Sequence, residues 1–273
     1  MSADADTPCP AAFVALAERL AETARTVVRP YFRQPIEIAE KADQSPVTIA
    51  DREAEKAMRA VIAEAHPDHG IVGEEHGAER SSAEYVWILD PIDGTKRFIT
   101  GHPQFGTLIG LLRGGEPILG VIDMPMMDER WIGAAGRPTT HSGKGLNNGD
   151  GTRPARVRPC ADVDHAVLYA TSPHMFPGDD FSAFERVRRR AKQPMYGGEC
   201  YAYGLLASGY VDLVVEATMG VYDYLPLVPV IAGAGGVITD WQGAPLGLGS
   251  DGRVVAAGDR RCHAAAITLL HGR

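Results

Sequence analysis

Residues Val86-Trp87-Ile88-Leu89-Asp90-Pro91-Ile92-Asp93-Gly94-Thr95 constrain this chain more than any other stretch. A mostly apolar run leads straight into two carboxylates three positions apart, then a Gly-Thr turn. That is the pattern of a strand ending in acidic residues at its carboxyl edge. Asp90 and Asp93 are hard oxygen donors, suited to Mg²⁺ rather than to soft metals. Pro91 lacks an N–H and has a fixed φ, so it interrupts the ladder and leaves the Ile92 carbonyl as a third oxygen. Gly94 permits a sharp turn, and Gly94-Thr95 can open a helix whose first N–H groups suit a phosphate. Taken alone, D-x-x-D also describes a solvated turn. Here the preceding strand, and further acids at similar junctions, favour a metal-phosphate site.

The chain has 273 residues, enough for one large or two ordinary domains. A net charge of −8 argues against a nucleic-acid backbone as partner and is compatible with metal sites or a cationic ligand. No apolar run approaches the roughly 20 residues of a membrane span. The acidic start, Met1 to Asp6, lacks the basic region of a signal peptide. Cys9, Cys160, Cys200 and Cys262 are scattered, which indicates neither a zinc site nor a disulfide framework. These features predict a cytoplasmic protein without a membrane partner.

Apolar spacing of 3.6 predicts a helix over 11–33, stopped by Pro35, then a short strand over 36–39 and a polar loop from Lys41 through Asp43 to Thr48. Thr48 is placed to cap a helix that carries Asp51, Glu53 and Glu55 and ends near His66-Pro67. Residues 70–75 form a short strand ending in Glu74-Glu75, and a loop runs on to Ala83. The acid-ended strand covers 85–90. Runs 105–112 and 117–122 flank Arg113-Gly114-Gly115-Glu116 as a hairpin. A strand follows over 131–135. Residues 136–156 are a loop or tight hairpin, and a domain boundary is placed after it, dividing 1–157 from 158–273.

Beyond that boundary, strands are predicted over 166–170, 211–215, 236–240 and 254–257. Helices are predicted over 181–190, 201–208, from 220 to 235, and over 261–270. Pro226 and Pro229 make the third of these start late or run irregularly. The alternation implies a layered α/β or α+β fold. Glu74, Asp90, Asp93 and Asp223 each sit at a strand–helix junction. Without a cation, such a set would repel itself and raise some of its pKa values. With two divalent ions, it would suit phosphoryl transfer.

Trp87-Ile88-Leu89-Asp90-Pro91-Ile92-Asp93-Gly94-Thr95-Lys96-Arg97-Phe98 closely resembles the first signature of the inositol monophosphatase family. Gly73-Glu74-Glu75 resembles the family's upstream metal motif, and Tyr222-Asp223 with Gly235-Gly236 its second signature. The resemblance implies a lithium-sensitive, Mg²⁺-dependent phosphatase of small phosphate esters. It also implies an α-β-α-β-α sandwich, a homodimer and two or three ions. By position it implies that Glu74, Asp90 and the Ile92 carbonyl hold one metal, and Asp90, Asp93 and Asp223 a second. Glu74 would also reach a third ion through water. Asp51 with Thr95 would orient and deprotonate the attacking water. The N–H groups of Gly94 and Thr95 would receive the phosphate, and Lys41 would lie near the site.

The second signature departs from the family's usual form, which has Trp before the aspartate. Here it reads Tyr222-Asp223-Tyr224-Leu225-Pro226-Leu227-Val228-Pro229, which resembles the histidinol-phosphate phosphatase branch. So do Gly197-Gly198-Glu199-Cys200-Tyr201-Ala202-Tyr203-Gly204 and residues 100–107. L-histidinol phosphate carries an ammonium and an imidazole, for which Asp43, Glu199 and Glu216 can supply acceptors. Glu216 stands where the family contacts the leaving alcohol. Histidinol phosphate is therefore the expected substrate, within histidine biosynthesis. The rivals are inositol-1-phosphate, fructose-1,6-bisphosphate and 3′-phosphoadenosine 5′-phosphate, or a non-catalytic metal- or RNA-binding role. Gly247-Leu248-Gly249-Ser250-Asp251-Gly252 matches G-x-G-x-x-G but precedes a strand, so it reads as a loop. His66, His69, His102 and Cys200 read as structural or surface residues.

Overall fold

Two large sheets and three helical layers follow from which faces of these elements are apolar. The computed structural model describes residues 8–40, 46–144 and 151–272. In chain order the elements are α1 (Ala11–Tyr31), β1 (Ile38–Glu40), β2 (Pro46–Thr48), α2 (Ile49–Ala65), β3 (Gly70–Gly73), β4 (Gly77–Glu79) and β5 (Tyr85–Asp93). Next come α3 (Thr95–Ile99), β6 (Gly106–Arg113), β7 (Glu116–Met124), β8 (Glu129–Ala134), β9 (Thr140–Gly143), β10 (Gly151–Pro154), β11 (Val167–Ala170) and α4 (Asp179–Arg190). The chain closes with β12 (Gln193–Tyr196), α5 (Glu199–Ala207), β13 (Leu213–Glu216), α6 (Val221–Tyr224), α7 (Leu227–Gly233), β14 (Val237–Thr239), β15 (Val254–Ala257) and α8 (Arg260–Leu270). The larger sheet runs β10-β9-β8-β7-β6-β5-β3-β4, the smaller β12-β11-β13-β15-β14, and β1 pairs with β2 alone.

Alternation along β5 shows how the layers arise. Trp87 and Leu89 face α1 and α2, packing with Phe13, Leu16, Leu20, Met58 and Ile62. Val86 and Ile88 face the opposite way, onto Tyr203 and Leu206 of α5 and Leu227 and Val230 of α7. The same middle layer meets Val214 and Ala256 of the smaller sheet. That sheet's outer side, through Leu213, Val215 and Val255, packs on Phe184 and Val187 of α4 and Cys262 and Ala266 of α8. The order is α-β-α-β-α, as the resemblance implied. A buried ion cluster ties the first helical layer down: Asp123, fully buried on β7, accepts from Arg25 Nε of α1 (2.7 Å) and Arg130 Nε of β8 (2.6 Å).

Several elements differ from their sequence expectation. The acid-ended strand continues past Asp90 to Asp93. It does so through a bulge: pairing with β6 passes from Asp90↔Leu108 to Asp93↔Gly106. Pro91, without a donor, sits in the bulge, and its carbonyl accepts from Thr107 Oγ1 at 2.8 Å. Residues 136–156 include a paired β9–β10 hairpin, one of the two alternatives expected there, whereas the loop after Glu74 includes the unforeseen short strand β4. β12 was not foreseen. It is an edge strand whose Met195 and Tyr196 are exposed, so burial leaves no alternating signature. The expected helix from 220 to 235 is two pieces, α6 and α7, parted at Leu225-Pro226. Lys41 and Asp43 lie outside the described residues.

The break between α6 and α7 rests on a lane of three glycines. Gly110, Gly120 and Gly133 lie side by side on β6, β7 and β8. A Cβ at Gly120 would overlap the Pro226 carbonyl, and one at Gly133 would overlap the Pro229 carbonyl and Val230 Cα. At Gly110 it would only approach the Pro226 ring and Ile88, at 3.3 Å. The lane therefore lets a helix backbone lie directly on the sheet. Gly120→Ala and Gly133→Ala are each expected to cost about 1–3 kcal/mol or more, because backbone cannot rotate away, and Gly110→Ala less. Urea unfolding of the three variants checks the ranking; a larger loss at Gly110 would contradict it.

Candidate active site

Four elements converge at the carboxyl end of β5. The bulge leaves Pro91 and Ile92 out of the ladder between Asp90 and Asp93, which both stay paired with β6, and Ile92 N–H donates to Asp90 Oδ1 at 3.0 Å. α6 brings Asp223, whose Oδ2 accepts from Gly220 N–H at 2.7 Å. Asp90, Asp93 and Asp223 each offer an oxygen, all within 4.8 Å of one another. β3 is parallel to β5 with Gly73 opposite Leu89, so the next residue, Glu74, lands beside Asp90. Glu74 N–H donates to Leu89 O at 3.1 Å. Its side chain joins the set by a hydrogen bond with Asp90.

These acids disturb one another. Burial pushes the carboxyl of Asp90 well above the usual range, and the charges of Glu74, Asp93 and Asp223 push it further. Asp223 is raised well above its ordinary value by burial, then by Asp93 and Glu74, against the Gly220 N–H. Asp93 is raised by burial too, countered by the N–H of Cys200, which donates to Asp93 Oδ2 at 2.6 Å. That bond runs from the start of α5 in the middle layer to the end of β5.

Asp51 occupies the first turn of α2. Its Oδ2 accepts from Thr48 N (2.8 Å) and Thr48 Oγ1 (2.6 Å), and the Thr48 hydroxyl in turn accepts from Ala50 N (3.1 Å). The bland reading of Asp51, an acid at a helix start, therefore holds for one oxygen. The other, Oδ1, lies 3.3 Å from Thr95 Oγ1, which is also 3.1 Å from the Ile92 carbonyl. With one proton, the Thr95 hydroxyl donates to one of them at a time. Burial raises Asp51, partly offset by Thr48 and reinforced by the charge of Glu74. Gly94 adopts φ +86 ahead of α3, a left-handed turn that favours glycine.

Beside these acids lies a cavity of about 140 Å³, walled by Asp93, Asp223, Glu199, Glu216, Tyr203 and Thr171 with apolar Leu108, Met175 and Met219. Glu199 opens α5 with φ +43 and lies over Gly94, where a Cβ would come within 3.1 Å of its Cγ. Glu199 Oε1 accepts from Arg97 Nε at 3.1 Å, while Oε2 is buried with no hydrogen-bond partner. Burial and the charge of Asp93 raise Glu199 to about 7, against the pull of Arg97. Glu216 is also raised to about 7, chiefly by burial. Its oxygens accept from Thr171 N (2.7 Å) and Tyr203 Oη (2.9 Å), so it braces β11 and α5 while facing the cavity.

Sequence reasoning missed Arg97, Tyr203 and Thr171 as partners, and no local signal marked them. His102 is exposed, and His69 Nδ1 accepts from the Trp87 indole at 3.1 Å, so both keep the structural reading. Cys200 is a buried thiol, as expected. Residues 247–252 form a loop before β15. Among the described residues, no helix is long and apolar enough to cross a membrane.

The donor set fits a hard divalent cation: all-oxygen, multiply anionic, and close enough for one ion to touch three carboxylates. The model of the Inositol monophosphatase family matches residues 10–273. In sequence the chain is similar to the Arabidopsis thaliana bifunctional phosphatase IMPL2, chloroplastic, at 49% identity over 94% of this chain and 75% of that one. It is 34% identical to a Mycobacterium tuberculosis histidinol-phosphatase, over 94% and 96% of the two chains. In structure it is similar to an inositol monophosphatase from Zymomonas mobilis, with a TM-score of 0.84 and 44% identity, covering 95% and 98%. A match of this extent makes the chain a phosphatase of the inositol monophosphatase family.

Proposed function

We propose that the chain is a Mg²⁺-dependent phosphomonoesterase that hydrolyses L-histidinol phosphate to L-histidinol and phosphate. The observation that carries the substrate choice is the unpartnered, buried Glu199 oxygen in a cavity walled by three further carboxylates. An ammonium or imidazolium satisfies such a wall; a neutral polyol brings no charge to it. The curated relatives named above include one called histidinol-phosphatase, which agrees. The rival within the same chemistry is an inositol or sugar phosphate, consistent with the name of the Zymomonas mobilis structure.

In this reading Glu74, Asp90, Asp93, Asp223 and the Ile92 carbonyl hold two or three ions. When bound, Mg²⁺ supplies positive charge to the phosphoryl oxygens and makes water a better nucleophile. Gly94 and Thr95 present the first N–H groups of α3 to the phosphate. Thr95 Oγ1 and Asp51 Oδ1 orient a water and take its proton; the burial that raises Asp51 makes it a better acceptor. Glu199, steadied by Arg97, and Glu216 face the departing alcohol.

A phosphate-release screen comparing histidinol phosphate, inositol-1-phosphate, fructose-1,6-bisphosphate and 3′-phosphoadenosine 5′-phosphate, with and without EDTA, tests the reading. Histidinol phosphate should have the highest kcat/KM, and EDTA should abolish turnover of all four. Glu199→Gln should raise KM for histidinol phosphate about tenfold or more, the scale of a lost charge-assisted hydrogen bond, and leave inositol-1-phosphate nearly unchanged. Equal effects on both substrates would remove Glu199 from specificity.

Thr95→Ala should cut kcat by about 10²-fold or more with Mg²⁺ affinity intact, since it loses proton handling and not a ligand. The opposite pattern would make Thr95 a support for the metal.

Stability should report the acids directly. Glu199 and Glu216 have folded values of about 7 against an ordinary 4.5, and Asp90, Asp93 and Asp223 are shifted the same way. A raised carboxyl means the folded state holds more protons. Its stabilisation is complete below the unfolded value and is lost as pH climbs through the folded one. In EDTA, Tm should therefore fall as pH rises from about 4.5 towards 7 and beyond. Mg²⁺ should restore it, by more at pH 8 than at pH 5, because it competes with those protons. Scanning fluorimetry measures both; a metal-free Tm that rises over this range would refute the charge assignment.

A further inference from the structure

The metal reading leaves unexplained a carboxylate that is fully buried a few residues from the acid cluster. Glu55 lies on α2 one turn after Asp51, so both point from the same helix face. Its Oε2 accepts from Glu75 N–H at 2.7 Å, and its Oε1 from His76 N–H at 3.1 Å. Oε1 also accepts from Arg59 Nε at 2.7 Å, and Arg59 reaches on to the Gly77 carbonyl. Three donors thus surround one buried anion. Gly73 makes room for it, since a Cβ there would overlap the Glu55 carboxylate.

Position explains why this matters. The turn that Glu55 grips begins at the residue after Glu74. On its other side, Glu74 follows directly on β3, and its N–H donates to Leu89 O at 3.1 Å. Burying one more negative charge near four clustered acids is costly, and a neutral side chain would fill the space without that cost. An anion, though, accepts both N–H groups and the guanidinium at once, which no neutral side chain of this size does. We infer that Glu55 is a positioning residue: it clamps the Glu75–Gly77 turn to α2 and so sets where Glu74 presents its carboxylate to the metal. One helix would then place both the proton acceptor Asp51 and the metal ligand Glu74, keeping them in fixed relation.

This inference rests on the proposed metal site. The test is Mg²⁺ titration calorimetry on metal-free full-length protein, with amide hydrogen exchange over residues 74–77, for wild type, Glu55→Gln and Gly73→Ala. Gly73→Ala attacks the clamp from the other side and serves where Glu55→Gln does not fold. Either variant should weaken Mg²⁺ binding about tenfold or more, the usual scale for removing a group behind a metal ligand. The Glu75 and His76 amides should exchange faster. At saturating Mg²⁺, kcat should return to within about twofold of wild type, as lost affinity rather than lost chemistry requires. Unchanged Mg²⁺ affinity with a lowered Tm would make Glu55 merely structural and overturn the inference alone. No Mg²⁺ binding by wild type would remove the metal reading, and this inference with it.

Discussion

Mutual repulsion among crowded, buried and half-buried carboxylates governs this structure. Asp90, Asp93 and Asp223 crowd within 4.8 Å, with Glu74 hydrogen-bonded to Asp90. A core cannot hold four such anions without a compensating positive charge or protons. No side-chain cation is bonded to Asp90, Asp93 or Asp223 among the described contacts; each is steadied by a backbone N–H, from Ile92, Cys200 and Gly220 respectively. Those dipoles orient the oxygens without cancelling their charge. Asp123 contrasts with these acids: as buried as Asp90, it is enclosed by two guanidinium groups and serves as a structural tie. Where the fold needs a neutral joint it provides arginine. At the end of β5, Asp90, Asp93 and Asp223 have no such partner among the described contacts, which on the proposed reading leaves their charge for a cation.

Holding that charge in register depends on layers that are far apart in sequence. The bulge at Pro91 separates two acids near the end of one strand, and parallel pairing with β3 brings in a third. The fourth comes from α6, whose continuation α7 lies on the glycine lane of β6, β7 and β8. Larger residues there would lift the α6–α7 break off the sheet and carry Asp223 with it. The N-terminal end of α5 completes the arrangement, since the Cys200 N–H that braces Asp93 follows directly on Glu199.

What the sequence revealed was what is local. The β5 run, its proline, the glycine turn and the Thr48 cap each follow from one or two neighbouring residues, and each stands close to its expected place. That Glu74 and Asp223 join Asp90 came from resemblance, because strand order and register are not written in any short stretch. The glycine lane shows why: three unremarkable glycines, ten and thirteen residues apart, become one feature only when β6, β7 and β8 are aligned. β12 was invisible for the opposite reason. An exposed edge strand buries neither face fully and so carries no period. Glu216 was placed correctly at a strand end, yet its partners Thr171 and Tyr203 come from another strand and a helix.

The cavity wall carries the same electrostatic logic from metal to substrate. Glu199 is held in a left-handed conformation that costs about 1 kcal/mol or more for a residue with a side chain. A fold tolerates that only where surrounding contacts fix it, and here the Arg97 ion pair and the packing over Gly94 do so. Arg97 engages one oxygen and leaves the other bare. Full pairing would have produced an inert joint like the one at Asp123; no pairing would have favoured a proton and a neutral wall. A half-compensated carboxylate retains attraction for an incoming cation while staying ordered in its absence. On the proposed reading, substrate choice in this member of the family is set by a single side chain that links the phosphate turn to the middle helical layer.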